Sequence, residues 1–180
     1  VQNIKVKIRN LYNVGKHSIH ITDTKDEALR LARLVFNVNS IHFLNYANPN
    51  KYLSTNIKIN NFKKFINANN INKNDVLIDS SLVLSCYGLR EAKDTDFFCT
   101  DNKKIKFHFD GINAHDEELK FYRESKLELI YNPKNYFYFN DLKFISFIQL
   151  YRMKKNRSEK KDIYDLKIMD SMINKDLFKH

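Results

Sequence analysis

Apolar and polar positions change their period along this chain, and the changes mark its elements. The stretch HSIHIT, residues 17–22, alternates apolar with polar side chains at the period of a strand. In TDTKDEALRLARLVF, Ala28, Leu31, Ala32 and Val35 recur at helical spacing, and Thr24 and Glu27 stand three apart as a capping box does. NSIHFLNY, residues 39–46, returns to strand-like alternation. Residues 47–74 are rich in Asn and Lys, with Pro49 near their start and only a short helical pattern around FKKFI, which predicts a linker. The chain therefore divides into an N-terminal β-α-β extension with its linker, 1–69, and a second domain, 70–180.

From Asp75 the elements shorten. DVLIDS predicts a strand, and SLVLSCYG a short apolar helix that stops at Gly88. DTDFFCT and IKFHFD predict two further strands with DNKK as the turn between them; if they pair as a hairpin, Asp110 can end up near Asp94. HDEELKFYRES has helical spacing, and YFYF-ND-LKFIS predicts a hairpin that turns at Asn140–Asp141. Residues 147–173 predict one helix or two abutting ones, with Ser158 as an N-cap before the second. The fold class is α/β (α+β): a mixed sheet with helices largely on one side.

Composition narrows this picture only in part. With 180 residues, 43% of them apolar, the chain can bury a core of its own. No stretch approaches the roughly 20 apolar residues that cross a bilayer, and VQNIKVKIRN lacks the apolar centre of a signal peptide. The opening Val, in place of Met, leads us to expect a piece cut from a longer protein. Two cysteines, Cys86 and Cys99, make neither a disulfide framework nor a zinc site, which fits a reducing cytoplasm. The net charge of +10 invites an anionic partner, but the lysines are scattered, so charge alone selects none.

Candidate chemistry concentrates at DTDFF. Residues two apart on a strand share a face, so Asp94 and Asp96 present their carboxylates side by side. Two carboxylates that close raise one another's pKa unless a cation is shared between them. Mg²⁺, or Mn²⁺, suits such a pair because it takes oxygen ligands and bridges to substrate phosphates. Asp110, ending the next expected strand, is the candidate third ligand and proton acceptor. Ser80 and Ser81, where a strand gives way to a helix, and the forked donor Arg90 are candidate phosphate contacts. His17, His20 and His42 lack ligand spacing and read as structural or surface residues; His108 and His115, which flank Asp110, read the same way. The aromatic run YFYF reads as cross-strand packing rather than a base-stacking platform.

These residues carry a resemblance. Residues 78–98 resemble the signature of the nucleotidyltransferase-fold superfamily, the group that includes DNA polymerase beta, and most of all its toxin-like and surface-glycan branch. That signature runs from an apolar residue through Gly and Gly or Ser, then a short helix, to Asp-x-Asp on the next strand. Here YGLREAKDTDFF supplies Gly88, Leu89, Arg90, Asp94, Asp96 and Phe97. The tail, with Lys154, Arg157, Lys161, Asp162 and Asp165, is similar to a helical pattern of the same branch. Ser80–Ser81 departs from the pattern, placing a Cβ where the backbone of the family approaches a triphosphate.

The resemblance implies a metal-dependent nucleotidyl- or phosphoryl-transferase. Asp94, Asp96 and Asp110 would serve as its acidic centre, and Ser80, Ser81, Arg90 and Lys161 would contact phosphate. Its donor would be a nucleoside triphosphate or nucleotide-activated compound, and its acceptor a small molecule or glycan, as in surface polysaccharide biosynthesis. A catalytically degenerate scaffold module within a larger glycan-assembling protein is the second expectation. An RNA-modifying toxin with nucleic acid as partner is the third.

Overall fold

The computed structural model describes residues 2–15 and 22–173. The chain forms two compact units, Val1–Phe36 and Asn37–His180. In the first, helices α1 (Gln2–Tyr12) and α2 (Lys25–Val35) are tied by Lys5, whose ammonium lies 2.8 Å from Asp23. The expected capping at Thr24 is present: its side chain accepts from the Glu27 amide at 3.1 Å, and Glu27 reaches back to the Asp23 amide at 2.7 Å. The strand expected over 17–22 lies outside the described residues, Thr22 excepted.

The second unit is built on a five-stranded mixed sheet of order β3-β2-β1-β5-β4. Its strands are β1 (Val76–Asp79), β2 (Thr95–Cys99), β3 (Ile112–Ala114), β4 (Tyr136–Phe139) and β5 (Leu142–Ile145). Strand β1 is antiparallel to β2 and parallel to β5, and every one of its residues is buried, as a central strand requires. The β4–β5 hairpin turns at Asn140 and Asp141, both with positive φ (52° and 62°), the conformation that a two-residue type I′ turn needs and that Asn and Asp tolerate.

Three elements correct the sequence expectation. Residues 39–46 form a helix, α3 (Val38–Tyr46), rather than the second strand of a β-α-β unit. Asn37 caps it by accepting from the Ser40 amide at 2.9 Å, and Asn39, Ser40, His42 and Phe43 are buried at helical spacing. Its polar start serves the sheet: Asn37 and Asn39 donate to the Tyr136 carbonyl, and Ser40 accepts from the Tyr138 amide, so side chains satisfy the outer edge of β4. Phe43 stacks on Phe137 with ring centroids 4.5 Å apart.

Residues 47–74 are not a linker either. Helix α4 (Leu53–Ala68) buries Thr55, Ile59, Phe62, Phe65 and Ile66 along one face, while its Asn and Lys residues occupy the solvated face and dilute the pattern. Phe62 and Phe65 meet Phe97 of β2 edge-on at 5.2 and 5.3 Å. Residues 37–69 thus pack with the sheet unit, although the sequence assigns them to the extension.

The third correction concerns IKFHFD. It forms no strand, because the side chain of Asn69 occupies the place of a strand partner. The Asn69 carboxamide accepts from the Lys106 and Phe107 amides (2.7 and 2.8 Å) and donates to the Phe107 carbonyl (2.9 Å). The chain then returns through Gly111 (φ +70°) to start β3 parallel to β2, with Thr95 opposite Ile112. No hairpin through DNKK forms; residues 102–104 make a single 3₁₀ turn.

Helix α5 (Ser81–Cys86) follows β1, and α6 (Lys126–Tyr131) follows a 3₁₀ segment over Asp116–Phe121. The tail is two helices, α7 (Phe147–Arg157) and α8 (Lys160–Ile173). Ser158 ends the first rather than capping the second: its φ of 54° is left-handed, and its amide donates to the Lys154 carbonyl at 2.9 Å. Among the described residues, no helix is long and apolar enough to cross a membrane.

Candidate functional site

The antiparallel register sets Asp79, the last residue of β1, opposite Asp96, the second of β2. Burial of apolar Val76, Leu77 and Ile78 drags Asp79 into the core, where its carboxylate is fully enclosed. Such a group needs partners. Tyr122 donates to Oδ1 at 2.5 Å, the His115 Nδ1 lies 3.3 Å from Oδ2, and the Ser80 hydroxyl lies 3.4 Å from the same oxygen. Burial, then the Asp79 charge, pushes the Tyr122 hydroxyl well above its ordinary range, so it stays a donor.

Asp94 and Asp96 stand at the head of β2 beside this cluster. The Ser81 hydroxyl donates to Asp94 Oδ1 at 3.3 Å. Burial pushes the Asp96 carboxyl up, and the like charges of Asp94 and Asp79 add to it, while His115 and a hydrogen bond from Asn113 work the other way. A half-buried acid between two other acids is the electrostatic situation in which a cation is welcome. Burial pulls the His115 imidazole down, but its hydrogen bond to Asp79 and the charges of Asp79, Asp96 and Glu118 outweigh that and leave it raised.

Asp110 takes no part in this arrangement. It sits exposed in the turn before Gly111, because the strand that would have carried it to Asp94 does not form. Among the described residues, no three His, Cys, Asp or Glu side chains converge as a metal-ligand set. Asp94 and Asp96 fit a hard cation that draws its remaining ligands from water and substrate oxygens, as Mg²⁺ commonly does.

The residues expected to hold phosphate are largely engaged elsewhere. Arg90 forks onto Asp165, Nε to Oδ1 at 2.5 Å and Nη2 to Oδ2 at 2.8 Å. Lys161, its side chain 65% exposed, pairs with Glu159 at 3.1 Å on the surface of α8. Ser80 adopts φ 58° and ψ −133°, a conformation that glycine accepts and a Cβ resists.

The tail builds a buried chain of charges around the site. Lys154 of α7, 2% exposed, lies 2.8 Å from Asp165 and 3.3 Å from Asp162, both buried on α8. Arg157 reaches Asp162 at 2.7 Å and Glu118 at 2.9 Å, and Glu118 lies 3.8 Å from the His115 Nε2. The chain therefore runs from Arg90, just before Asp94, to His115, which touches Asp79. Burial raises Asp162 and Asp165, but their Arg and Lys partners outweigh it, and both carboxyls end below their ordinary range. Four of the five tail residues of the motif thus brace the two flanks of the acidic centre.

Sequence reasoning missed Asp79, Tyr122 and Glu118. The signal for Asp79 was present: an acid ending the apolar run VLI has to be paid for by a partner. No protein-family model, curated protein or solved structure matches the chain.

Proposed function

We propose that the chain is a metal-dependent nucleotidyl- or phosphoryl-transferase of the nucleotidyltransferase-fold superfamily, acting on a small molecule or glycan in the cytoplasm. The observation that carries this reading is the acidic head of β2, where Asp96 is held half-buried between Asp94 and Asp79 with its ionised form disfavoured. Asp94 and Asp96 would hold Mg²⁺ or Mn²⁺, which supplies charge neutralisation at a transferring phosphate. The chain's own residues do the rest. Ser81 orients Asp94, Asn113 orients Asp96, and Asp79 with Tyr122 fixes His115 at the edge of the centre. A nucleoside triphosphate or nucleotide-activated compound is the donor class.

A second reading, a binding or scaffold module without turnover, draws on specific observations. Arg90 is committed to Asp165, Lys161 faces solvent, and serine replaces glycine at position 80. Thermal unfolding in the presence of nucleoside triphosphates and nucleotide sugars, with and without Mg²⁺, separates the two. A transferase gains stability with the metal, and gains most when metal and nucleotide are both present. A scaffold shows no metal-dependent gain, and that result would reject the first reading.

A further inference from the structure

Helices α1 and α2 are amphipathic, yet neither buries its apolar side. In α1, Ile4, Ile8, Leu11 and Tyr12 recur at i, i+4, i+7 and i+8, which is one stripe of a helix. Ile4, Leu11 and Tyr12 are each more than half exposed, and the one residue that α1 buries is Lys5. In α2 the stripe is Ala28, Leu31, Ala32 and Val35; Leu31 and Val35 are exposed, Phe36 at the helix end is 86% exposed, and the helix buries no residue at all. By contrast α3, α4, α7 and α8 each bury four or five residues, although they separate polar from apolar positions far less sharply. A contiguous apolar side left in water marks a surface that meets something else.

Charge says what that something is. Among the described residues of this unit, Lys5, Lys7, Arg9, Lys25, Arg30 and Arg33 stand against Asp23, Asp26 and Glu27, and α1 itself carries no acid. A second copy is a poor match, because α1 laid on α1 sets Lys5, Lys7 and Arg9 against the same three cations. A nucleic acid would pair with the cations and leave the apolar stripes in water. A surface of anionic headgroups over acyl chains meets both needs at once. We propose that α1 and α2 form a peripheral docking unit for a bilayer that carries anionic phospholipid. The stripes enter the boundary between headgroups and acyl chains, and exposed Lys7 and Arg30 meet headgroup phosphates. The helices lie in the interface rather than crossing it: 11 residues rise about 17 Å, little more than half of a hydrocarbon core of about 30 Å. The inference stands apart from the transferase reading and needs neither metal nor nucleotide.

Sedimentation of the full chain with vesicles of phosphatidylcholine alone, or with about 30 mol% phosphatidylserine, tests this. The anionic vesicles are expected to bind about tenfold or more tightly than the neutral ones, and to lose about tenfold when salt rises from about 0.1 M to about 0.5 M. The chain has no tryptophan, so Leu11→Trp is a single reporter; its emission moves to the blue on anionic vesicles and is quenched by bromines on the acyl chains. Ile4→Gln/Leu11→Gln and Leu31→Gln/Val35→Gln replace apolar residues by one that forms helix as well or nearly so, and each weakens binding about tenfold or more at unchanged helix content. Lys7→Glu/Arg30→Glu weakens it likewise, whereas Lys103→Glu/Lys104→Glu, an exposed pair in the second unit, leaves it unchanged. Equal binding to both kinds of vesicle, wild-type binding by the glutamine variants, or an equal loss on reversing Lys103 and Lys104 overturns the proposal. So does Leu11→Trp emission already blue without lipid, or a dimer that Leu31→Gln/Val35→Gln dissociates, since the apolar side then has another cover. Binding of duplex RNA as tight as that of anionic vesicles, and untouched by the glutamine variants, assigns the cations to nucleic acid and overturns it as well.

Discussion

Replacing Lys154 by methionine removes one charge and keeps the length of the side chain. The ammonium is 2% exposed and lies 2.8 Å from Asp165 and 3.3 Å from Asp162. Neither carboxylate can turn to water, since both are buried on α8. Removing one partner of a buried ion pair costs about 3–5 kcal/mol, because a charge is left uncompensated. Arg90 and Arg157 remain on the two acids, so the loss belongs at the lower end of that range. For a chain of this size, about 3 kcal/mol lowers the melting temperature by roughly 6–12 °C. Urea and thermal unfolding at pH 7 read the change. Lys161→Met, which removes an exposed pair at the start of α8, is the control and shifts stability by less than about 0.5 kcal/mol.

The pH dependence checks the cause. Asp162 and Asp165 have folded pKa values below the ordinary carboxylate value of about 3.9. Their stabilisation is therefore complete above that value and fades as pH falls through the folded values. The gap between wild type and Lys154→Met is widest near neutrality and closes as pH falls below about 4. A variant as stable as wild type at pH 7, or a gap that stays constant into acid, would refute the assignment of this network as a brace.

Other expected outcomes concern single residues. Ser80→Gly and Ser80→Ala both lose the hydroxyl's contacts with Asp79 and His115, but only glycine relieves strain of about 1–3 kcal/mol, against about 0.5–1 kcal/mol for its unfolded-state freedom, so Ser80→Gly unfolds at a higher midpoint than Ser80→Ala; a lower one contradicts the strain. Asn69→Ala removes three hydrogen bonds to residues 106–107, costs about 2–3 kcal/mol, and speeds hydrogen exchange at the Lys106 and Phe107 amides above all others in that segment. The His115 imidazole titrates above its ordinary value of about 6.5 by NMR, and stability from that group is lost as pH rises through the folded value. Glu118→Gln, which removes one of the acids facing it, lowers the midpoint; an unmoved midpoint removes Glu118 from the cluster.

How far the sequence exposed this arrangement depended on where each residue's partners lie. Elements whose signal is local were legible: the capping box at Thr24, the Asn140–Asp141 hairpin, the apolar runs of β1 and β2 and the helix ended by Gly88. Asp94 and Asp96 were legible as a pair because period two alone sets them together. Elements whose backbone is satisfied by distant side chains were not. Residues 39–46 alternate like a strand, yet Asn37 starts a helix there, and its polar residues reach Tyr136 and Tyr138 almost a hundred residues later in the chain. IKFHFD has strand periodicity, but Asn69 takes its hydrogen bonds. That single substitution of partner removed Asp110 from the centre. Arg90 reads as a phosphate contact in the sequence because nothing local shows its partner, Asp165 of α8. Asp79 was passed over because the register opposite Asp96 follows from the β1–β2 pairing, not from either strand alone.

Titration of Mn²⁺ into the protein, followed by electron paramagnetic resonance with and without a nucleoside triphosphate, tests most directly whether the head of β2 is a cation site. Wild type is expected to remove one equivalent of free Mn²⁺ from the spectrum, more tightly with nucleotide, and the Asp94→Asn/Asp96→Asn variant to remove none. Identical curves for the two proteins, in a variant that unfolds as cooperatively as wild type, would contradict the account.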